Sequence, residues 1–167
     1  MKDYLEKQAL SNYKTAASDE IIALCYNNSS FSEMPDALVT PFKEVLQARL
    51  DNAVSANALQ GEEKTYDDIL KETYDKDGIS SSDEYLELYG LQNARIYAMC
   101  LKIAKFENIK ADEDEVYSLA ASDWSNVRDN YSTLKEFIDA NGLEVYRQAA
   151  LLEKVKDYLF EINIGEK

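Results

Sequence analysis

The chain has no histidine. The commonest general base and the commonest metal ligand are therefore missing, and with them any Ser/His/Asp or Cys/His nucleophilic arrangement. Breakers are few, 5 Gly and 2 Pro in 167 residues, so little interrupts a long helix. Gly61, Gly78, Gly90, Gly142 and Gly165 stand apart from one another, which excludes a glycine-rich phosphate loop. Only two cysteines occur, Cys25 and Cys100, at no CxxC or metal-ligand spacing. In apolar helical surroundings they read as reduced core thiols of a cytosolic protein, with a disulfide between them as the alternative. The opening, MKDYLEKQAL, lacks the apolar core of a leader. No apolar run approaches the roughly 18 residues that span a bilayer. The expectation is a cytoplasmic protein, or one whose leader has been removed.

Basic residues are also scarce, 18 Lys and Arg against 32 Asp and Glu, for a net charge of −14. Such a chain repels phosphate backbones and anionic lipid, so neither nucleic acid nor a membrane surface is an expected partner. The same acidity keeps a molecule soluble while it exposes apolar surface.

What is abundant is apolar, helix-forming sequence. Apolar residues make up 46% and charged residues 30%, the balance of a globular chain. The length suits a single domain, 1–167. Helix, short polar breaker and helix recur, without strand-like alternation, so the fold class is all-α. The first helix covers about 3–26, with Leu5, Ala9, Tyr13, Ala17, Ile21 and Leu24 at helical spacing. The run NNSSFSE breaks it, because Asn and Ser side chains compete for backbone hydrogen bonds. Pro35 opens a second helix that reaches about Leu59. Pro41 falls inside that span and removes a backbone bond, so a kink or a separate short turn is expected before Phe42. Thr65 with Asp68 caps a short helix carrying Ile69, Leu70 and Tyr74, and Gly78 suits a left-handed C-cap.

Ser81-x-x-Glu84 caps the most apolar helix. Tyr85, Tyr89, Gln92, Ile96, Met99, Ile103 and Phe106 keep a three–four alternation, and Leu86, Leu91, Ala98 and Leu101 add a second apolar face. Its polar positions are mainly Glu84, Glu87, Arg95, Lys102 and Lys105. Such a helix is either central to the fold or open to a partner. Asp112 with Glu115, and Thr133 with Glu136, cap two further helices, and Asn141-Gly142 ends the second. A last helix runs to about Ile162 on Val145, Ala149, Leu152, Val155, Leu159 and Ile162.

Three patterns invite chemistry. If Gly78 is the sixth position of a calcium loop, Asp75, Asp77 and Glu84 fall at the third, fifth and twelfth. Thr73 and Ser80 depart from that pattern, and a helix end, a turn and a new N-cap account for the same residues. The acidic run at 112–115 is what a helix N-terminus favours through its dipole. Carboxylate pairs for glycoside chemistry abound among 32 acids, and nothing singles out one pair. Twelve tyrosines are present, of which Tyr85, Tyr89, Tyr97, Tyr117, Tyr131 and Tyr146 lie near or within the central helices. A tyrosine offers a large ring with a polar tip, useful for adaptable contact and equally ordinary as half-buried packing.

Several stretches, in order, resemble the C-terminal chaperone domain of bacterial trigger factor. EMPDALV at 33–39 is similar to that family's I-P-E-A-L-V signature after its first long helix. Residues 4–28 resemble its entry helix, with Cys25-Tyr26-Asn27-Asn28 at the closing turn. ENIKADEDEV at 107–116 resembles the E-N-I-E-V-T-D-E-E-V junction between two arm helices, with Ala111 and Asp112 in place of Val and Thr. Residues 134–160 are similar to the closing helices, including Asn141-Gly142-Leu143-Glu144. The stretch 52–82 is the least similar, and Pro41 interrupts a helix that the family keeps whole.

The resemblance implies a multihelical, elongated body with protruding arms that holds unfolded or nascent polypeptide without ATP, an architecture shared with SurA-type chaperones. The family's ribosome-docking and prolyl isomerase domains precede this one and are not within these residues. Met1 then marks a cut or a stand-alone domain, isomerase activity is not carried over, and the ribosome is a partner only through the missing domain. No enzyme activity, cofactor or metal is expected. The side chains expected to meet a client are Tyr85, Leu86, Tyr89, Ile96 and Tyr97, with Val116 and Tyr117 after the junction. The rival expectation is a helical scaffold whose apolar faces close a homodimer, and a third is a calcium-regulated helical module.

Overall fold

The computed structural model describes the backbone of residues 2–59, 61–74, 78, 79, 81–126, 128 and 131–164, and their side chains from residue 6 onward. Seven helices account for most of it: α1 (Lys2–Asn27), α2 (Asp36–Leu59), α3 (Tyr66–Tyr74), α4 (Ser82–Phe106), α5 (Glu113–Asn126), α6 (Leu134–Asn141) and α7 (Glu144–Asn163). No strand occurs among the described residues, so the chain is all-α. No described helix is long and apolar enough to cross a membrane.

Local chemistry sets the helix ends. Thr65 and Asp68 form a reciprocal box: the Thr65 backbone N–H donates to Asp68 Oδ2 at 2.9 Å, and Asp68 N–H returns to Thr65 Oγ1 at 3.2 Å. Ser81 Oγ accepts from Glu84 N–H at 3.3 Å, and Thr133 Oγ1 from Glu136 N–H at 3.2 Å. Asp112 Oδ1 accepts from Asp114 N–H at 2.9 Å. At the end of α4, Asn108 adopts a left-handed φ of 56°, and Ile109 N–H reaches back to Ala104 O at 2.8 Å. That six-to-one bond with a left-handed residue is a Schellman cap, and Asn is among the few non-glycine residues that take the conformation cheaply. The Asn108-Ile109 pair therefore has a local structural reason of its own.

Pro41 does not break α2, contrary to the expected kink or separate turn. The helix is assigned without interruption from Asp36 to Leu59. Pro41 is exposed, so the carbonyl one turn earlier faces water rather than an apolar interior, and the adjacent Thr40 hydroxyl donates to Asp36 O at 2.9 Å.

The contacts of the chain divide it into two compact units. One comprises Ser30–Ala98; the other comprises Met1–Ser29 with Met99–Lys167, the division falling inside α4. In the first, Leu46 and Leu50 of α2, Leu70 of α3, Ile79 and Tyr85 form the core. In the second, α7 packs against α1 and α5, and α5 packs against α6. Val116, Ala120, Phe137, Tyr146 and Ala150 form its core, with Trp124 and Tyr131 against it. Trp124 Nε1 donates to Tyr131 O at 3.0 Å, which satisfies the indole.

Two expected stripes differ from the observed ones. On α7 the buried residues are Tyr146, Ala150, Val155 and Leu159, while Val145 and Ile162 are exposed. The Tyr146 ring sits 6.1 Å from Phe137, and filling that gap turns the first half of α7 by one residue. Among the described side chains of α1, only Ala17, Ser18, Ile21 and Ile22 are buried, and residues 6–13 are exposed around the whole circumference. Leu24, placed on the inner stripe by spacing, is exposed.

Candidate functional site

The seven side chains expected to meet a client fall into both units. Tyr85, Leu86 and Tyr89 come from the first turns of α4 and gather around Tyr74 at the end of α3. Ring centroids are 5.2 Å apart for Tyr74–Tyr85, 5.4 Å for Tyr74–Tyr89 and 5.1 Å for Tyr85–Tyr89. The rings are tilted, within the range where aromatic pairs attract beyond their area. Tyr85 is only 6% exposed, and burial pushes its phenol up to about 12, with the hydrogen bond it donates to Tyr74 adding to the shift. It therefore anchors the core beneath the cluster, and Leu86 and Tyr89 show the partial surface above it. Ile96 and Tyr97 are half-buried, Tyr97 with its ring 5.7 Å from Phe42.

Val116 and Tyr117 are neighbours with opposite fates. Val116 is fully buried in the α5 core, and Tyr117 is 48% exposed. Adjacent helical positions lie about 100° apart, so only one of them can face Ala120 and the α7 side. Tyr85 and Val116 thus present no surface to a client. Periodicity identified both as inward-pointing candidates but gave no means of deciding whether a covering element packs there.

Sequence reasoning missed other apolar surface. Leu59 is 90% exposed and Phe106 87%, and Leu10, Leu38, Val45 and Leu88 are each exposed by half or more. On α2 the exposed positions 38, 41, 45, 48, 52, 55 and 59 follow a three–four alternation, a spacing present in the sequence with Pro41 on it.

An open cleft of about 190 Å³ lies between α1 and α7, lined by Ser11, Lys14, Thr15, Ser18, Asp19, Glu153, Lys156 and Asp157. Lys14 pairs with Asp157 at 2.7 Å, and Lys156 with Asp19 at 3.0 Å and Glu153 at 3.6 Å. The hydrogen bond to Asp157 raises the Lys14 ammonium pKa. Burial lowers that of Lys156, but Asp19 and Glu153 outweigh it and the net shift is upward. Lysines held charged in this way clamp helices together and are poor proton acceptors.

The acidic run at the start of α5 is likewise engaged. Arg147 reaches Glu113 at 3.0 Å, and Lys154 reaches Glu115 at 2.8 Å, tying α7 to α5. Of the calcium reading, Asp75, Asp77 and Ser80 lie outside the described residues. Gly78 has a φ of 74°, and Glu84 sits in the first turn of α4 with its N–H on Ser81. Cys25 is half-buried and Cys100 buried, both as free thiols. No protein-family model, curated protein or solved structure matches the chain.

Proposed function

We propose that this chain is a client-binding domain of a cytoplasmic, ATP-independent chaperone, of the kind its resemblance to the trigger factor C-terminal domain suggests. The observation that carries this reading is the distribution of bare apolar side chains. Among the described residues fifteen large hydrophobics are exposed; fourteen come from six of the seven helices, and Ile164 follows α7. Scattered single residues are ordinary on a surface. Dispersal over nearly every element, in a chain of net charge −14, suits many weak contacts with unfolded polypeptide rather than one fixed partner. Each contact contributes about 25 cal/mol per Å² of apolar area covered, so release stays easy where each patch is small. Leu86, Tyr89, Ile96, Tyr97 and Tyr117 offer accessible surface, joined by Leu88 next to Tyr89. Tyr85 and Val116 serve as the packing beneath.

Light scattering of a denatured client diluted into buffer tests the reading. The wild-type chain should suppress aggregation. A variant with Leu38→Ser, Val45→Ser, Leu88→Ser and Tyr117→Ser should keep its helical circular dichroism and lose most of that suppression. Full suppression by the variant would sink the proposal.

A homodimeric scaffold has one specific observation in its favour, the exposed three–four stripe of α2, where Leu38, Val45, Ala48 and Leu59 have the spacing of a coiled-coil seam. Asn52 and Ser55 dilute it. Sedimentation over a concentration series separates the two: a tight dimer that ignores unfolded clients is the scaffold.

A further inference from the structure

Eight basic side chains, Lys7, Arg49, Lys71, Arg95, Lys102, Lys105, Lys110 and Arg128, have no ion pair among the described residues, and three of these fall within nine residues of one another. Lysines on α1, α2, α6 and α7 make ion pairs, as does Lys64 before α3. Lys102, Lys105 and Lys110 are exposed, and none has an ion pair among the described residues. The one acid in that stretch, Glu107, accepts a hydrogen bond from Tyr158 of α7.

These lysines share the end of α4 with bare apolar groups. At about 100° per residue, Leu101, Lys102, Lys105 and Phe106 occupy one arc of the helix. Cys100 and Ala104 are buried on the opposite arc, and Met99 is buried at the edge beside Phe106. Leu101 is 39% exposed and Phe106 87%. The Schellman cap at Asn108 then ends the helix, and Lys110 follows directly. Lysines in a last helical turn answer the helix dipole. The dipole explains neither an aromatic ring left in water nor a third lysine beyond the cap.

We propose that this face docks an acidic polypeptide segment of another protein, one that also carries an apolar side chain. Lys102, Lys105 and Lys110 meet its carboxylates, and Phe106 with Leu101 takes the apolar group. A nucleic acid or an anionic membrane also answers to lysines, but each is an extended polyanion that meets the acidic remainder of a chain of net charge −14. A short segment is screened from charges beyond about 8 Å at physiological salt, so it can lie along these lysines without meeting the whole acidic surface. The inference is independent of general client binding, because it concerns selection by charge at one face.

Fluorescence anisotropy on the full chain tests it, with a labelled peptide of glutamates interrupted by one leucine and one phenylalanine. Saturable binding is expected, weakened by salt and weakened about tenfold or more in K102E/K105E/K110E, as for reversal of several interfacial charges. Phe106→Ser should weaken it severalfold. All four positions are exposed, so circular dichroism of the variants should match the parent. A counterpart peptide with lysine for glutamate should not bind. Equal affinity of the parent and the triple variant overturns the proposal, as does equal binding of the lysine peptide. Preferential binding of phosphatidylserine vesicles or single-stranded DNA through the same lysines overturns it too. So does a self-association that the triple reversal abolishes while the peptide stays unbound.

Discussion

Gly90 of α4 lies against Lys43 of α2 within the 30–98 unit. A Cβ built there would stand 2.6 Å from Lys43 Cγ and 3.6 Å from the Lys43 backbone nitrogen. The Lys43 ammonium continues past the glycine to Glu87. Gly→Ala inside a helix ordinarily stabilises by about 1 kcal/mol, since Ala has the best helix propensity. Here the obstruction is the Cγ of Lys43 rather than the mobile tip, so that side chain must leave its rotamer or the helices must part. Overpacking of that kind typically costs about 1–3 kcal/mol. Gly90→Ala should therefore lower stability by about 1–2 kcal/mol in urea titration. In a Lys43→Ala background the clash is gone, and the same change should stabilise instead, a sign reversal that a double-mutant cycle isolates. The surface pair with Glu87 is worth little and cannot produce that reversal. A stabilising Gly90→Ala in the wild-type chain would show that the contact is slack.

Helix α2 is the element in which propensity and structure disagree, and Pro41 is the reason. A proline inside a helix removes one backbone bond and crowds the preceding turn, at about 3 kcal/mol. The continuous α2 keeps the residue near its start, on an exposed position. Pro41→Ala restores the missing donor without disturbing packing. It should raise the urea midpoint by an amount equivalent to about 1–3 kcal/mol. An unchanged or lower midpoint would mean that the ring's restriction of the unfolded chain offsets the lost bond. Helix ends, by contrast, were legible beforehand. Thr65, Ser81, Asp112 and Thr133 each accept a bond from a backbone N–H within three residues, and chemistry that local is written in the sequence. The covered side of each helix was less legible. On α7, residues 149–152 read Ala-Ala-Leu-Leu, so a stripe through Val145 and one through Tyr146 fit almost equally well. The choice falls to Phe137, which belongs to a different helix. The same gap explains Tyr85 and Val116, correctly placed on apolar arcs and then covered by partners that periodicity does not name. It also explains residues 6–12 of α1, where the apolar spacing runs on although every described side chain is exposed.

For the whole molecule, buried phenols and a buried thiol set the alkaline limit. Burial pushes Tyr85 and Tyr146 up to about 12, with Tyr74 and Asp123 respectively adding to it, and burial pushes Cys100 up to about 11. Exposed, the same groups ionise near 10.0 and 9.0. The folded state therefore holds protons that the unfolded chain has already released. The stability this contributes is complete below about pH 9 and is lost as pH climbs through the folded values. The paired lysines act in the same sense: Asp157 raises Lys14, and Glu115 raises Lys154, so those attractions also fade only at high pH. Urea midpoints should stay level near neutrality and fall steeply between about pH 10 and pH 12, where the phenols are forced to ionise. Growing net negative charge would produce some decline without any buried phenol. Tyr146→Phe separates the two causes, since it keeps the ring against Phe137 and deletes only the ionisable group. Its decline above pH 10 should be shallower than that of the parent, and shallower than that of Tyr117→Phe on the half-exposed neighbouring position of α5. If all three curves run parallel, general repulsion rather than the buried phenol governs the alkaline edge of this fold.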